Sequence, residues 1–241
     1  MIMREFTVRP RFQRATAMLL TSAFVLALAA CGGGGGSSPA PQQPSPLPTP
    51  PTIPPLATGP AIGLFYGQTV GNTRKWADSD SATGGIGQTV DGIPCGPMSE
   101  TYHVHAHVSI FLNGDQLIVP KWVGLPPPTT GTRSADGFGT CAYVTHTHDE
   151  TGEIHVEAAA QAVYTLGQLF DVWGQPLDMT NVNVGGIVGL PIKVYVIDQG
   201  DTAATDMSSD PKNIELKAHR QITIQIGTAL SAIPVYDFEG A

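Results

Sequence analysis

Between Val104 and Leu112 apolar side chains fall at every second position: Val104, Ala106, Val108, Ile110 and Leu112. A period of two predicts a half-buried strand. Asn113-Gly114 follows, a pair suited to a tight two-residue turn, and Gln116 to Val119 returns as the hairpin partner. Residues 122–140 then read as a long loop around Pro126-Pro127-Pro128. Ala142 to His148 and Glu153 to Glu157 form a second expected hairpin, turned at Glu150-Thr151-Gly152. The period then changes. Leu166, Leu169, Phe170 and Trp173 lie at i, i+3, i+4 and i+7, one face of a short helix. Thr165 and Gln168 match a capping box, Gly174 is a natural stop and Pro176 forbids continuation. Ile192 to Ile197 reads as a buried strand, Ile222, Ile224 and Ile226 as an alternating one, and Val235 and Phe238 as a last edge.

Hairpins, one helix and further strands predict an α+β domain with a mixed sheet, similar in order to a β-grasp. A β-sandwich is the alternative architecture. Residues 61–100 are glycine-rich and carry no clear period.

The N-terminus follows different rules. Arg4, Arg9, Arg11 and Arg14 precede an uncharged apolar run, Ala15 to Ala30, too short to span a bilayer comfortably. This predicts a signal peptide over 1–30. Its end, Leu28-Ala29-Ala30-Cys31, resembles the lipobox of bacterial lipoproteins. That resemblance implies lipid on Cys31, a membrane anchor, and a place on the periplasmic side or cell surface. Gly32 after the cysteine implies the outer membrane in a Gram-negative cell. Residues 31–60, rich in Gly, Ser and Pro, read as a flexible tether, and 61–241 as a single folded domain. Four of the 12 basic residues and one of the 20 acidic residues precede Cys31, leaving 8 basic and 19 acidic residues and a net charge of −11. Such a balance excludes a basic nucleic-acid surface. Cys95 and Cys141 are the cysteines left after lipidation, and in an oxidising compartment they are expected to pair as a disulfide. Two thiolate metal ligands are the alternative.

The candidate chemistry lies in histidine. Six of the seven histidines fall between His103 and His155. His103, His105 and His107 alternate along one strand and so share the face opposite its apolar residues. His146 and His148 repeat the spacing, and His155 follows on the partner strand. Closure of the second turn around Glu150-Thr151 sets His146 opposite His155, and closure one residue later sets His148 there. In both registers imidazoles meet, which predicts a metal site built jointly by the two segments. Imidazole suits copper and zinc, and no Met-rich motif points to Cu(I), so Cu(II) or Zn(II) is expected. Asp149, Glu153 and Glu157 are expected to complete the site or to orient the histidines from behind.

The string Tyr102-His103-Val104-His105-Ala106-His107, a cysteine before His146-Thr147-His148-Asp149, then Ile154-His155-Val156-Glu157 and Thr165-Leu166-Gly167-Gln168, resembles uncharacterised secreted and membrane-anchored proteins of bacteria and archaea. It covers about a third of the chain and implies a setting, not an activity. His146-Thr147-His148 with Glu153 is similar to a cupin motif, but the preceding glycine spacing and a second motif are missing. There is no His-Glu-X-X-His and no Gly-X-Ser-X-Gly. The expectation is a membrane-tethered protein for metal trafficking, storage or sensing, not an enzyme. A metalloenzyme with an open His-ligated position, or a metal-free module docking an unknown protein partner, is the alternative.

Overall fold

A computed structural model describes residues 52–78, 84–134, 137 and 139–238. The expected signal peptide, Cys31 and the tether up to residue 51 lie outside the described residues. In chain order the elements are β1 (Ile62–Gly63), β2 (Tyr102–Leu112), β3 (Asp115–Leu117), β4 (Thr145–His146), β5 (Glu153–Ala158) and α1 (Leu166–Trp173). Next come β6 (Leu177–Asp178), β7 (Asn183–Val184), β8 (Ile187–Val188), β9 (Ile192–Ile197), β10 (Thr205–Asp206), β11 (Gln221–Ile226) and β12 (Tyr236–Asp237).

The main sheet has the order β10-β9-β11-β2-β5-β4 and is mixed, as expected. β2 and β11 run parallel at its centre, and each takes an antiparallel partner on its other side, β5 and β9. The helix crosses between β5 and β9, which completes the β-grasp order. β2 is long enough to serve two partners on one edge. Tyr102 to His107 pairs with β5, and Ile110 to Leu112 pairs with β3 through the Asn113-Gly114 turn. Asn113 and Gly114 have φ of 52° and 95°, the pair of positive angles such a turn requires.

Strand periodicity divides the sheet into two unlike faces. Val104, Val108 and Ile110 of β2 join Ile154, Val156, Val194, Ile222 and Ile224 on the apolar face, where Leu166, Leu169, Phe170 and Trp173 of α1 cover them. Helix start and stop are as read. Thr165 Oγ1 accepts from Gln168 N at 3.3 Å, Gln168 Oε1 accepts from Thr165 N at 3.1 Å, and Gly174 turns left-handed at φ 75°. Trp76, from the segment without a clear period, meets Trp173 edge-on at 4.8 Å between ring centroids.

The opposite face is polar and partly covered. β1 pairs in parallel with β12, and Ala57 N donates to Ile233 O, so pairing begins a few residues before position 61. Val70 N donates to Glu150 O, and Gly67 N donates to Asp149 Oδ2, which pins this N-terminal stretch to the second hairpin turn. Cys95 and Cys141 form a disulfide, with Cα atoms 5.5 Å apart. Beside it Gly96 and Ala142 exchange two backbone hydrogen bonds. No helix among the described residues is long and apolar enough to cross a membrane.

Candidate metal centre

β4, β5 and β2 lie side by side, and their register places the histidines in rows. His146 faces His155 across β4 and β5, and His155 faces His105 across β5 and β2. The earlier of the two possible turn registers is the one adopted. One step along, His103 faces Glu157; one step the other way, His107 faces Glu153. All of these positions alternate with core residues such as Val104, Ile154 and Val156, so apolar packing on one face orients the histidines on the other.

The ring nitrogens converge. His146, His148, His155 and Glu157 each offer a ligand atom within 4.8 Å of the others, and so do His103, His105 and His155. His146 Nε2 lies 3.2 Å from His148 Nε2 and 3.5 Å from Glu157 Oε1. His155 Nδ1 lies 3.3 Å from Glu157 Oε1 and 3.3 Å from His103 Nε2, which lies 2.8 Å from His105 Nε2. Two ligands bonded to one ion at 2.0–2.1 Å stand about 3.3–3.4 Å apart at the tetrahedral angle. The observed separations bracket that value.

Surrounding groups set the tautomers. His146 Nδ1 donates to Tyr143 O at 2.8 Å, which leaves the Nε2 lone pair aimed at His148 and Glu157. Glu153 Oε1 lies 3.6 Å from His105 Nδ1 and 3.5 Å from His155 Nε2. It thus faces the nitrogens directed away from His103 and Glu157. Asp149 was expected to take part in the site, but its carboxylate accepts from Thr151 N, Thr151 Oγ1 and Gly67 N and serves the turn.

Glu157 takes one of the two roles open to the carboxylates, completing the site. It stands among the histidines, and its Oε2 is buried without a hydrogen-bond partner, as is Glu153 Oε2. Buried carboxylate oxygens without partners are costly unless a cation balances them. Burial raises the pKa of Glu157, but its close contacts with the His146, His148 and His155 side chains outweigh it and hold the carboxyl below the usual range. Burial, joined by repulsion from His155 and His103, lowers His105 to about 3; burial also lowers His155 to about 4. The His105 and His155 rings are therefore neutral at pH 7, the form that ligates. Burial pushes Glu153 up to about 7, with Asp149 adding to the effect.

His107 joins neither group. It is fully buried, donates from Nε2 to Thr151 O at 2.9 Å, and lies against the Tyr236 ring at 3.8 Å between centroids. Sequence spacing gave it the right face, but β12 and the hairpin turn cover that end of the row. His219, not expected in the site, lies against Phe238, and its backbone N donates to His105 O. A cavity of about 120 Å³ lined by Leu64, Tyr66, His105, Asp149, Thr151, Glu153 and His155 adjoins the second group.

The buried cluster of histidines and Glu157 can hold a metal ion. The chain matches no protein-family model, no curated protein and no solved structure.

Proposed function

We propose that this protein binds Cu(II) or Zn(II) in the histidine cluster for trafficking, storage or sensing, and that it does so as an exported lipoprotein tethered through Cys31. The observation that carries the metal reading is the convergence of His146, His148, His155 and Glu157, largely buried and within ligand reach of one another. The basic start, apolar run and Leu-Ala-Ala-Cys end support export and lipidation. The disulfide accords with an oxidising compartment.

The test uses mature protein from its native membrane. Mass spectrometry of the N-terminus should find a lipid-modified Cys31. Metal analysis, then calorimetric titration of the chelator-treated protein with Zn(II) and with Cu(II) at pH 7, should find tight binding. Protein that takes up neither ion would sink the metal reading and favour partner docking; an unmodified N-terminus would sink the anchor.

A metalloenzyme is the second reading, favoured by one observation: His103, His105 and His155 make only three ligands, with a cavity beside them. Three protein ligands and an open position are typical of catalytic zinc. Turnover of a substrate by the loaded protein, lost on chelation, separates the two.

A further inference from the structure

Resting on the metal reading above, we propose that the histidine face holds two transition-metal ions side by side. One sits on His103, His105 and His155, the other on His146 and His148, and the Glu157 carboxylate bridges them.

The geometry carries this in three steps. First, the ligands fall into two groups, with His103 and His105 in one and His146 and His148 in the other. β2 and β4 are separated by β5, so these pairs start from backbones two strand spacings apart, about 9–10 Å. Each pair has closed on itself, at 2.8 Å for His103 and His105 and 3.2 Å for His146 and His148. A single ion with bonds of about 2.0–2.1 Å would leave one pair unused.

Second, His155 belongs to both groups but offers them one nitrogen. Its Nδ1 faces both His103 and Glu157, while its Nε2 is turned to Glu153 at 3.5 Å. One lone pair cannot serve two ions. Glu153 faces His105 Nδ1 as well, so a single carboxylate orients both rings and directs His105 Nε2 and His155 Nδ1 to the same side as His103 Nε2. That assigns His155 to the β2 ion.

Third, the group common to both halves is then Glu157. Its Oε1 is 3.3 Å from His103 Nε2 on one side and 3.5 and 3.8 Å from His146 and His148 Nε2 on the other. Its Oε2 is buried and unpartnered. A carboxylate has two oxygens with lone pairs to spare, as a bridge between two cations requires.

The experiment titrates Cu(II) into the metal-free mature chain at pH 7, followed by calorimetry and electron paramagnetic resonance. Wild type should take two equivalents per chain. Its integrated resonance should fall short of two isolated ions once the second has bound, because the bridged ions couple. His103→Ala should lose one equivalent and keep the other within about threefold in Kd. His148→Ala should do the converse, and Glu157→Gln should restore an uncoupled signal or lose the second ion. Circular dichroism checks that each variant folds, and His103, the most exposed ligand, keeps the test alive if His148→Ala does not fold. Saturation at one equivalent overturns the two-ion centre while leaving metal binding intact, as does weakening of one common event by both alanine variants. No uptake at all overturns both.

Discussion

His155 is paired on both sides, to His146 on β4 and to His105 on β2, and both contacts are consequences of register. Residues of this kind also set how stability depends on pH. His105, His107 and His155 have folded-state pKa values near 3, 4 and 4, below the unfolded value of 6.5, because burial disfavours their charged form. Between pH 6.5 and about 4 the unfolded chain therefore binds more protons than the folded one, and stability falls as pH falls. Each such group contributes at most about 1.4 kcal/mol per pH unit in that window. Glu153, raised to about 7, acts in the opposite sense between 4.5 and 7, but it is one group against three. Urea unfolding of metal-free protein at pH 7, 6 and 5 should give a falling midpoint; a flat series would contradict the buried neutral rings. The period of two made the histidine face legible in the sequence, but not the ends of the row. His107 is shielded by Tyr236, which arrives from the far end of the chain. Gly152 adds to the crowding there, since a Cβ on it would stand 2.5 Å from Val108 O and 3.0 Å from His107 Nε2. Glu157 carried the same alternation as His155, and its place among the ligands depends on His146 and His148 reaching over it.

At the scale of elements, the strongest local signals form as the sequence spells them, while β3 and β4 are shorter or shifted, at Asp115–Leu117 and Thr145–His146. The Asn113-Gly114 turn and the capping box of α1 depend on neighbours within four residues, and both form as spelled. Removing the cap tests how far α1 holds the sheet. Thr165→Ala leaves the N-terminal amides of α1 without an acceptor and should cost about 1 kcal/mol. The change should appear as a shift of the urea midpoint with an unchanged slope. An unaltered midpoint would mean the segment is held by Leu166, Leu169 and Phe170 alone. The parallel pairing of β2 with β11 was not legible, because no local rule joins strands more than a hundred residues apart. Nor was the role of the stretch before β2 legible. Trp76, Ile93 and Leu64 are each buried, but they do so singly, in irregular backbone whose apolar positions follow no period.

For the molecule as a whole, the disulfide is the main covalent constraint among the described residues. It joins the segment entering β2 to the segment entering β4, so each histidine pair closely follows one of its cysteines. With a sequence separation of 46 between the cysteines, the chain-entropy account gives about 4 kcal/mol of stabilisation. Cys95→Ser with Cys141→Ser should therefore lower unfolding stability by roughly 2–4 kcal/mol and weaken metal binding, since the β4 ligands lose their tether. Equal stability with and without a reductant would show that the bond contributes nothing.

The central parallel pair has a consequence for timing. β2 lies before the middle of the chain, while β11 and the Tyr236 that closes the row lie close to its end. A chain that emerges N-terminus first, from a ribosome or through a membrane pore, presents all six clustered histidines long before the strand that completes their sheet. Until Gln221–Ile226 arrives, β2, which carries three of those histidines, lacks its parallel partner. If the cluster holds an ion as proposed, the finished site exists only where the last strand has arrived.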